Sequence, residues 1–224
     1  QRIFDIIFSS LALIILLPIL FTTAILLRFT GEGIIFYSQK RIGIHSSSFS
    51  LFKFATMLKN SPNIGTKTVT IKNDVRILPL GIFLRKTKIN ELPQLFNILK
   101  GDMSIIGPRP MTKNNFEIYN QKVKNKIFNL KPGLSGLGSI IFRDEENILN
   151  MGYASLAFFK SEVTPYKGEL ECWYAENKSI KLYFILIFIT AWVIFVPKSK
   201  IIWVFLKSIP KPSNQLKKLL NFPT

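Results

Sequence analysis

Residues 86–110, KTKINELPQLFNILKGDMSIIGPRP, combine a helical apolar repeat with Pro and Gly turns and clustered cations. Leu92, Leu95, Phe96 and Leu99 recur at i, i+3, i+4 and i+7, which predicts an amphipathic helix opening at Glu91 with a polar opposite face. Asn90 is a good N-cap residue and Pro93 is tolerated in a first turn, so an amide and a carboxylate are expected at a helix N-terminus. Unpaired backbone N–H groups there favour a phosphate. Arg85, Lys86 and Lys88 precede the helix, and Arg109 follows between Pro108 and Pro110, whose rings restrict the backbone and fix the direction of the guanidinium. A solvated basic face accounts equally well for Lys86 and Lys88.

The chain around this stretch is both basic and greasy. It has 224 residues, a formal net charge of +17 and 48% hydrophobic residues, with a pI near 10.0 and a mean hydropathy of +0.26. That combination is unlike a soluble nucleic-acid binder and points to a membrane surface. Cys172 is the only cysteine, which excludes an internal disulfide and a thiolate metal cluster. His45 is the only histidine, and in the polar loop Gly43 to Ser50 it reads as exposed rather than as part of a triad or zinc site.

Ile6 to Leu27 is apolar and long enough as a helix to cross a bilayer. Its basic downstream flank, with Arg28, Lys40 and Arg41, keeps the remainder cytoplasmic, and no small-residue cleavage site marks a signal peptide. Pro18 lies inside it and predicts a kink or break. From pattern alone the segment either spans the bilayer or dips in and returns. Leu182 to Val196 is short for a span and reads as an interfacial or core helix. Ile201 to Leu206 and the tail with Lys211, Lys217 and Lys218 read as a surface-lying amphipathic element. Ser50 to Phe54 and Thr68 to Ile71 read as strands.

The 86–110 block resembles the signature of the bacterial sugar transferases, the monotopic phosphoglycosyl transferases. The resemblance extends upstream to Arg2-Ile3-Phe4-Asp5 before the proline-interrupted segment, to Gln39-Lys40-Arg41-Ile42-Gly43 and to Phe52-Lys53-Phe54-Ala55-Thr56-Met57. Downstream it includes Lys131-Pro132-Gly133-Leu134-Ser135-Gly136-Leu137, and Tyr174, Asn177 and Ser179 before the last apolar helix. It implies an α+β fold with three parts: a re-entrant membrane helix over 1–28 turned at Pro18, a cytoplasmic domain over 29–181, and C-terminal interfacial helices with a basic tail over 182–224.

The same resemblance implies transfer of a sugar 1-phosphate from a UDP-sugar donor to polyprenyl (undecaprenyl) phosphate, with Mg2+ as cofactor, at the cytoplasmic face of the bacterial inner membrane. Membrane lipid is then a partner, nucleic acid is not, and a homo-oligomer is allowed. Arg85 matches the arginine assigned to phosphate, Arg109 the one near the nucleotide, and Asp102 the acid of the G-D-M-S turn; Asp102 is equally suited to capping Met103 to Ile105. The family nucleophile is the Asp of an Asp-Glu pair, and Asn90-Glu91 stands at those positions. An amide is neutral and cannot replace that nucleophile. Three readings follow: Glu91 acts as nucleophile or metal ligand, the polyprenyl phosphate attacks the donor directly, or the chain is an inactive scaffold that binds nucleotide sugar or lipid. Ala55 where arginine is usual, Tyr183 where aspartate is usual and Leu17 before Pro18 are further departures.

Overall fold

The computed structural model describes residues 1–64, 74–143, 158–197, 199–220 and 222–223. The strand expected over Thr68 to Ile71 lies outside the described residues. Helices and short strands are mixed, and the chain divides into two compact units. The first comprises Arg2–Lys40 and Ser50–Gly101; the second comprises Gln1, Arg41–Phe49 and Asp102–Thr224.

In the first unit α1 covers Arg2–Phe29, 28 residues with Pro18 inside. The chain stays helical across Pro18, which corrects the break expected there. Proline removes one hydrogen bond, while the turns on either side keep theirs. Only Asp5, Ser9, Leu20, Thr23 and Leu27 of α1 are buried. Strands β1 (Phe36–Ile42) and β2 (Ser48–Phe54) pair as a hairpin whose tip, 41–49, belongs to the second unit. Helix α2 (Pro79–Lys86) lies so close to Thr56 that a Cβ on Gly81 would fall 2.2 Å from the Thr56 carbonyl oxygen, a contact only glycine permits. Helix α3 (Gln94–Lys100) packs on α1. Leu20, Leu27, Phe54 and Leu84 form the core of this unit, joined by Leu13, Ile89 and Leu92.

The C-terminus of α3 is closed twice. Gly101, at φ 96°, donates its N–H to the carbonyls of Asn97 and Ile98. The Arg2 guanidinium donates to the carbonyls of Ile98 and, at 2.6 Å, Leu99. A cation at the negative end of a helix is favourable, so the first residues of α1 are fastened to the element that follows Asn90 and Glu91.

In the second unit β3 (Ser104–Ile106) pairs in parallel with β4 (Gly133–Ser135), with Ser104 opposite Gly133 and Ile106 opposite Ser135. Parallel pairing needs a crossover, here supplied by α4 (Lys113–Ile118) and α5 (Gln121–Ile127). Gly107 lies against the backbone of Lys131 and Gly133, where a Cβ would be 2.3 Å from the Lys131 oxygen. After α6 (Leu137–Ile141), a π-turn over Phe159–Val163 leads into α7 (Thr164–Asn177), which packs on α5 and α6. The Tyr174 hydroxyl donates to the Ile106 carbonyl, Asn177 donates to the Trp173 carbonyl at the end of α7, and the Ser179 hydroxyl caps α8 (Ile180–Phe195) by accepting from Leu182 N–H. Those three bonds give a physical reason for the Tyr, Asn and Ser spacing.

Helix α8 packs on α6, β3 and β4 and buries Tyr183, Leu186 and Ile189. Phe184, Phe188, Trp192 and Phe195 remain exposed on it. The short helices α9 (Ile201–Phe205) and α10 (Asn214–Leu219) complete the described chain.

Candidate active site

The connection between α2 and α3 is built on Lys88, which sits in the left-handed region at φ 62°. Thr87 and Lys88 N–H groups close α2 on the carbonyls of Phe83 and Arg85. The chain then reverses into a 3-10 turn over Ile89–Glu91 before α3 starts at Gln94. Asn90 therefore does not cap α3, as the sequence suggested; it lies inside the 3-10 turn, and Pro93 immediately precedes the helix. The left-handed residue is a lysine, a type that gives no local signal for this geometry.

Three residues per turn point neighbouring side chains in different directions. Asn90 turns inward and is 6% exposed, and its Oδ1 is buried with no hydrogen-bond partner among the described residues. Glu91 is half-buried and pairs through Oε1 with Lys53 Nζ at 3.1 Å. Arg85 is half-buried in the last turn of α2, whereas Lys86 and Lys88 are exposed. Arg85, Asn90, Glu91 and Lys53 thus all belong to the first unit.

The buried face of α3 differs from the one its spacing predicts. Phe96 is exposed, while Gln94 and Asn97 are buried with Leu95 and Ile98. Asn97 Oδ1 accepts from Phe52 N–H at 3.0 Å and its Nδ2 donates to the Ser50 carbonyl at 2.8 Å. A buried amide is tolerated because β2 satisfies both its ends. Sequence reasoning missed Asn97 and the role of Lys53, since neither partner is near in the chain.

Asp102 and Arg109 belong to the second unit. Asp102 is half-buried ahead of β3. Arg109 is exposed on a turn held from two sides: Arg41 Nη1 donates to the Pro110 carbonyl at 3.1 Å, and Ile42 N–H donates to the Met111 carbonyl at 2.9 Å. The Arg41 motif is therefore a brace for the Pro108-Arg109-Pro110 turn. Arg109 lines a shallow recess with Ile42, Gly43, Met111, Phe116 and Phe128. His45 is exposed and tilts against Phe128, in keeping with a loop role.

Behind that turn lies Glu171 of α7, 4% exposed. Its carboxyl accepts the Arg109 backbone N–H, and Oε2 has no hydrogen-bond partner among the described residues. Burial pushes its pKa up to about 7, against the opposing pull of the Arg109 N–H and of the Lys167 and Arg109 charges. On a helix a glutamate reads as solvated, so nothing in the local sequence marks it.

These elements match a known pattern across most of the chain: the model of the family described as bacterial sugar transferase covers residues 1–197. The chain belongs to that family. It is 33% identical over 208 residues to the undecaprenyl-phosphate galactose phosphotransferase of Salmonella typhimurium, covering 87% of this chain and 40% of that protein. To the UDP-glucose:undecaprenyl-phosphate glucose-1-phosphate transferase of Klebsiella pneumoniae it is 34% identical, over 89% of this chain and 41% of the relative. The exopolysaccharide production protein ExoY of Rhizobium meliloti is 32% identical, over 72% of this chain and 75% of its own length. The chain thus spans about two fifths of the longer relatives and three quarters of the shorter one.

Proposed function

We propose that this chain transfers a sugar 1-phosphate from a UDP-sugar to undecaprenyl phosphate, the first step in assembling an exported glycan. The observation that carries the reading is the 3-10 turn after Arg85, in which Asn90 and Glu91 are consecutive, Asn90 Oδ1 being buried with no hydrogen-bond partner among the described residues and Glu91 paired with Lys53. In the transfer, an oxygen nucleophile bonds to the sugar-bearing phosphorus, the bond from that phosphorus to the bridging oxygen breaks, and UMP leaves with the electron pair. Arg85 is the arginine that the family resemblance assigns to phosphate, and Arg109 the one it assigns to the nucleotide.

Mg2+ binds commonly through one or two carboxylates plus substrate phosphates, and Glu91 is the carboxylate of this turn that would hold it. When bound, it neutralises the diphosphate and the leaving oxygen. Of the chain's own groups, Glu91 is the carboxylate of the site, aimed by Lys53, while Asn90 contributes a neutral oxygen.

The reading places the chain on the cytoplasmic face of the bacterial inner membrane, with α1 bent at Pro18 while its helix stays unbroken, so that both ends return to that face. Contact with a membrane is supported by the apolar side chains that α1 leaves exposed, among them Ile7, Ile14, Ile15, Leu17 and Phe21, and by the exposed aromatic residues of α8. Incubating detergent-extracted chain with UDP-sugars, undecaprenyl phosphate and Mg2+ should yield undecaprenyl diphosphosugar, seen by mass spectrometry. Donor binding with no lipid product would favour the scaffold instead.

A further inference from the structure

Lys53 has a place in the first unit that suits it to more than aiming Glu91. Asn97, 0% exposed, grips β2 at the Ser50 carbonyl and the Phe52 N–H, at 2.8 and 3.0 Å. These are backbone contacts, so they fix the strand in register and hold the next residue, Lys53, whatever its side chain does. Its ammonium then meets Glu91 Oε1 at 3.1 Å, with the two side chains 21% and 24% exposed. The pair is therefore not needed to fasten β2, which the Asn97 amide already does.

What the pair does achieve is to put a cation against Glu91, the carboxylate next in sequence to Asn90. The proposed function puts a divalent cation at that same carboxylate. Two cations close to one carboxylate repel each other, so a metal arriving at Glu91 competes with the ammonium for it. Lysine is suited to such a move, being a point charge on a flexible four-carbon stem with donors only. The acceptors that a displaced ammonium can take are the oxygens of a phosphate.

We infer that Lys53 is a positioning residue that holds the cation place beside Glu91 until a divalent metal takes it, and then turns to the phosphate that the metal carries. The metal at Glu91 and the identity of that phosphate as a nucleotide-sugar diphosphate rest on the proposed function. The place of the ammonium rests on the Asn97, Lys53 and Glu91 contacts.

The test uses the full chain in detergent, with Mn2+ followed by electron paramagnetic resonance and inorganic pyrophosphate as probes. Lys53→Met should bind Mn2+ alone at least ~3-fold more tightly, because a competing cation is gone, and bind pyrophosphate at fixed Mn2+ at least ~10-fold more weakly. Lys53→Gln should repeat both shifts, and Lys53→Arg should restore pyrophosphate binding. A lysine that served only as a strap would move both affinities down together, along with the melting temperature, or move neither. Either of those outcomes, or a wild-type chain that captures no pyrophosphate, overturns the inference. Lipid-product formation is scored separately: opposite shifts without lipid product would sink the transferase reading and leave the Lys53 assignment standing, and product formation without the shifts would do the reverse.

Discussion

The backbone N–H of Arg109 donates to the carboxyl of Glu171, so the turn that presents an exposed guanidinium rests on a buried acid. The α6 side of this contact is equally tight, since a Cβ on Gly138 would fall 2.8 Å from Glu171 Oε1. Because the carboxyl has little room to move, its protonation state is felt by the turn.

Burial of the Glu171 carboxyl, only partly offset by the Arg109 N–H, makes stability depend on pH. The Glu171 pKa is raised from 4.5 to about 7 on folding, so the folded chain holds a proton that the unfolded chain has lost. Its contribution is complete below the unfolded value and is lost as pH rises through the folded one. The size is about 3 kcal/mol between the two plateaus. Denaturation of the detergent-solubilised chain should show this loss over the 4.5 to 7 window, and Glu171→Gln should flatten it. Equal slopes in both proteins would contradict the assignment.

Asn97 should matter to stability more than an amide on a short helix normally does. Asn97→Ala strands the Phe52 N–H and the Ser50 carbonyl, at a cost of about 2–3 kcal/mol. Asn97→Asp keeps an acceptor for Phe52 but sets a carboxylate against the Ser50 oxygen, so it should also lower the denaturation midpoint. Unchanged midpoints in both would mean that β2 is held by something else.

These two residues show what the sequence could and could not reveal. The Pro and Gly turns, the strand at Ser50 to Phe54 and the length of α1 are local matters of backbone restriction and periodicity, and they were legible. The inward turn of Asn90 was not, because it depends on a left-handed lysine at position 88. Phe96 fits the apolar repeat yet is exposed, while Asn97 is buried through partners 45 and 47 residues away. Glu171 was hidden for the same reason: its burial is set by α6 and by the turn at Arg109. The candidate site residues are thus proposed from type and spacing, whereas their contacts come from tertiary packing.

The arginines should separate from their neighbouring lysine. Arg85→Ala and Arg109→Ala should each lower kcat/KM for the donor by about tenfold to a hundredfold, as expected for loss of a charge-assisted phosphate contact. Lys86 is exposed, and Lys86→Ala should change kcat/KM by less than about threefold. Equal losses at all three positions would indicate a general positive field in place of defined contacts.

The topology of α1 has its own test. At 28 residues the helix is about 42 Å long, enough to span and more than enough to dip and return with a bend. Small tags at both ends should be reached only from the cytoplasmic side. Labelling of a tag at Gln1 from outside would establish a spanning helix and leave the site's chemistry intact.

Release of UMP from a UDP-sugar, dependent on undecaprenyl phosphate, measures most directly whether the Asn90-Glu91 turn carries out sugar 1-phosphate transfer. Wild-type chain should release UMP, Glu91→Gln should abolish the release, and Asn90→Asp should raise it by at least ~10-fold, since it restores an anionic nucleophile where Asn90 sits. No release from wild type or Asn90→Asp while both bind donor, or undiminished release from Glu91→Gln, would contradict the account.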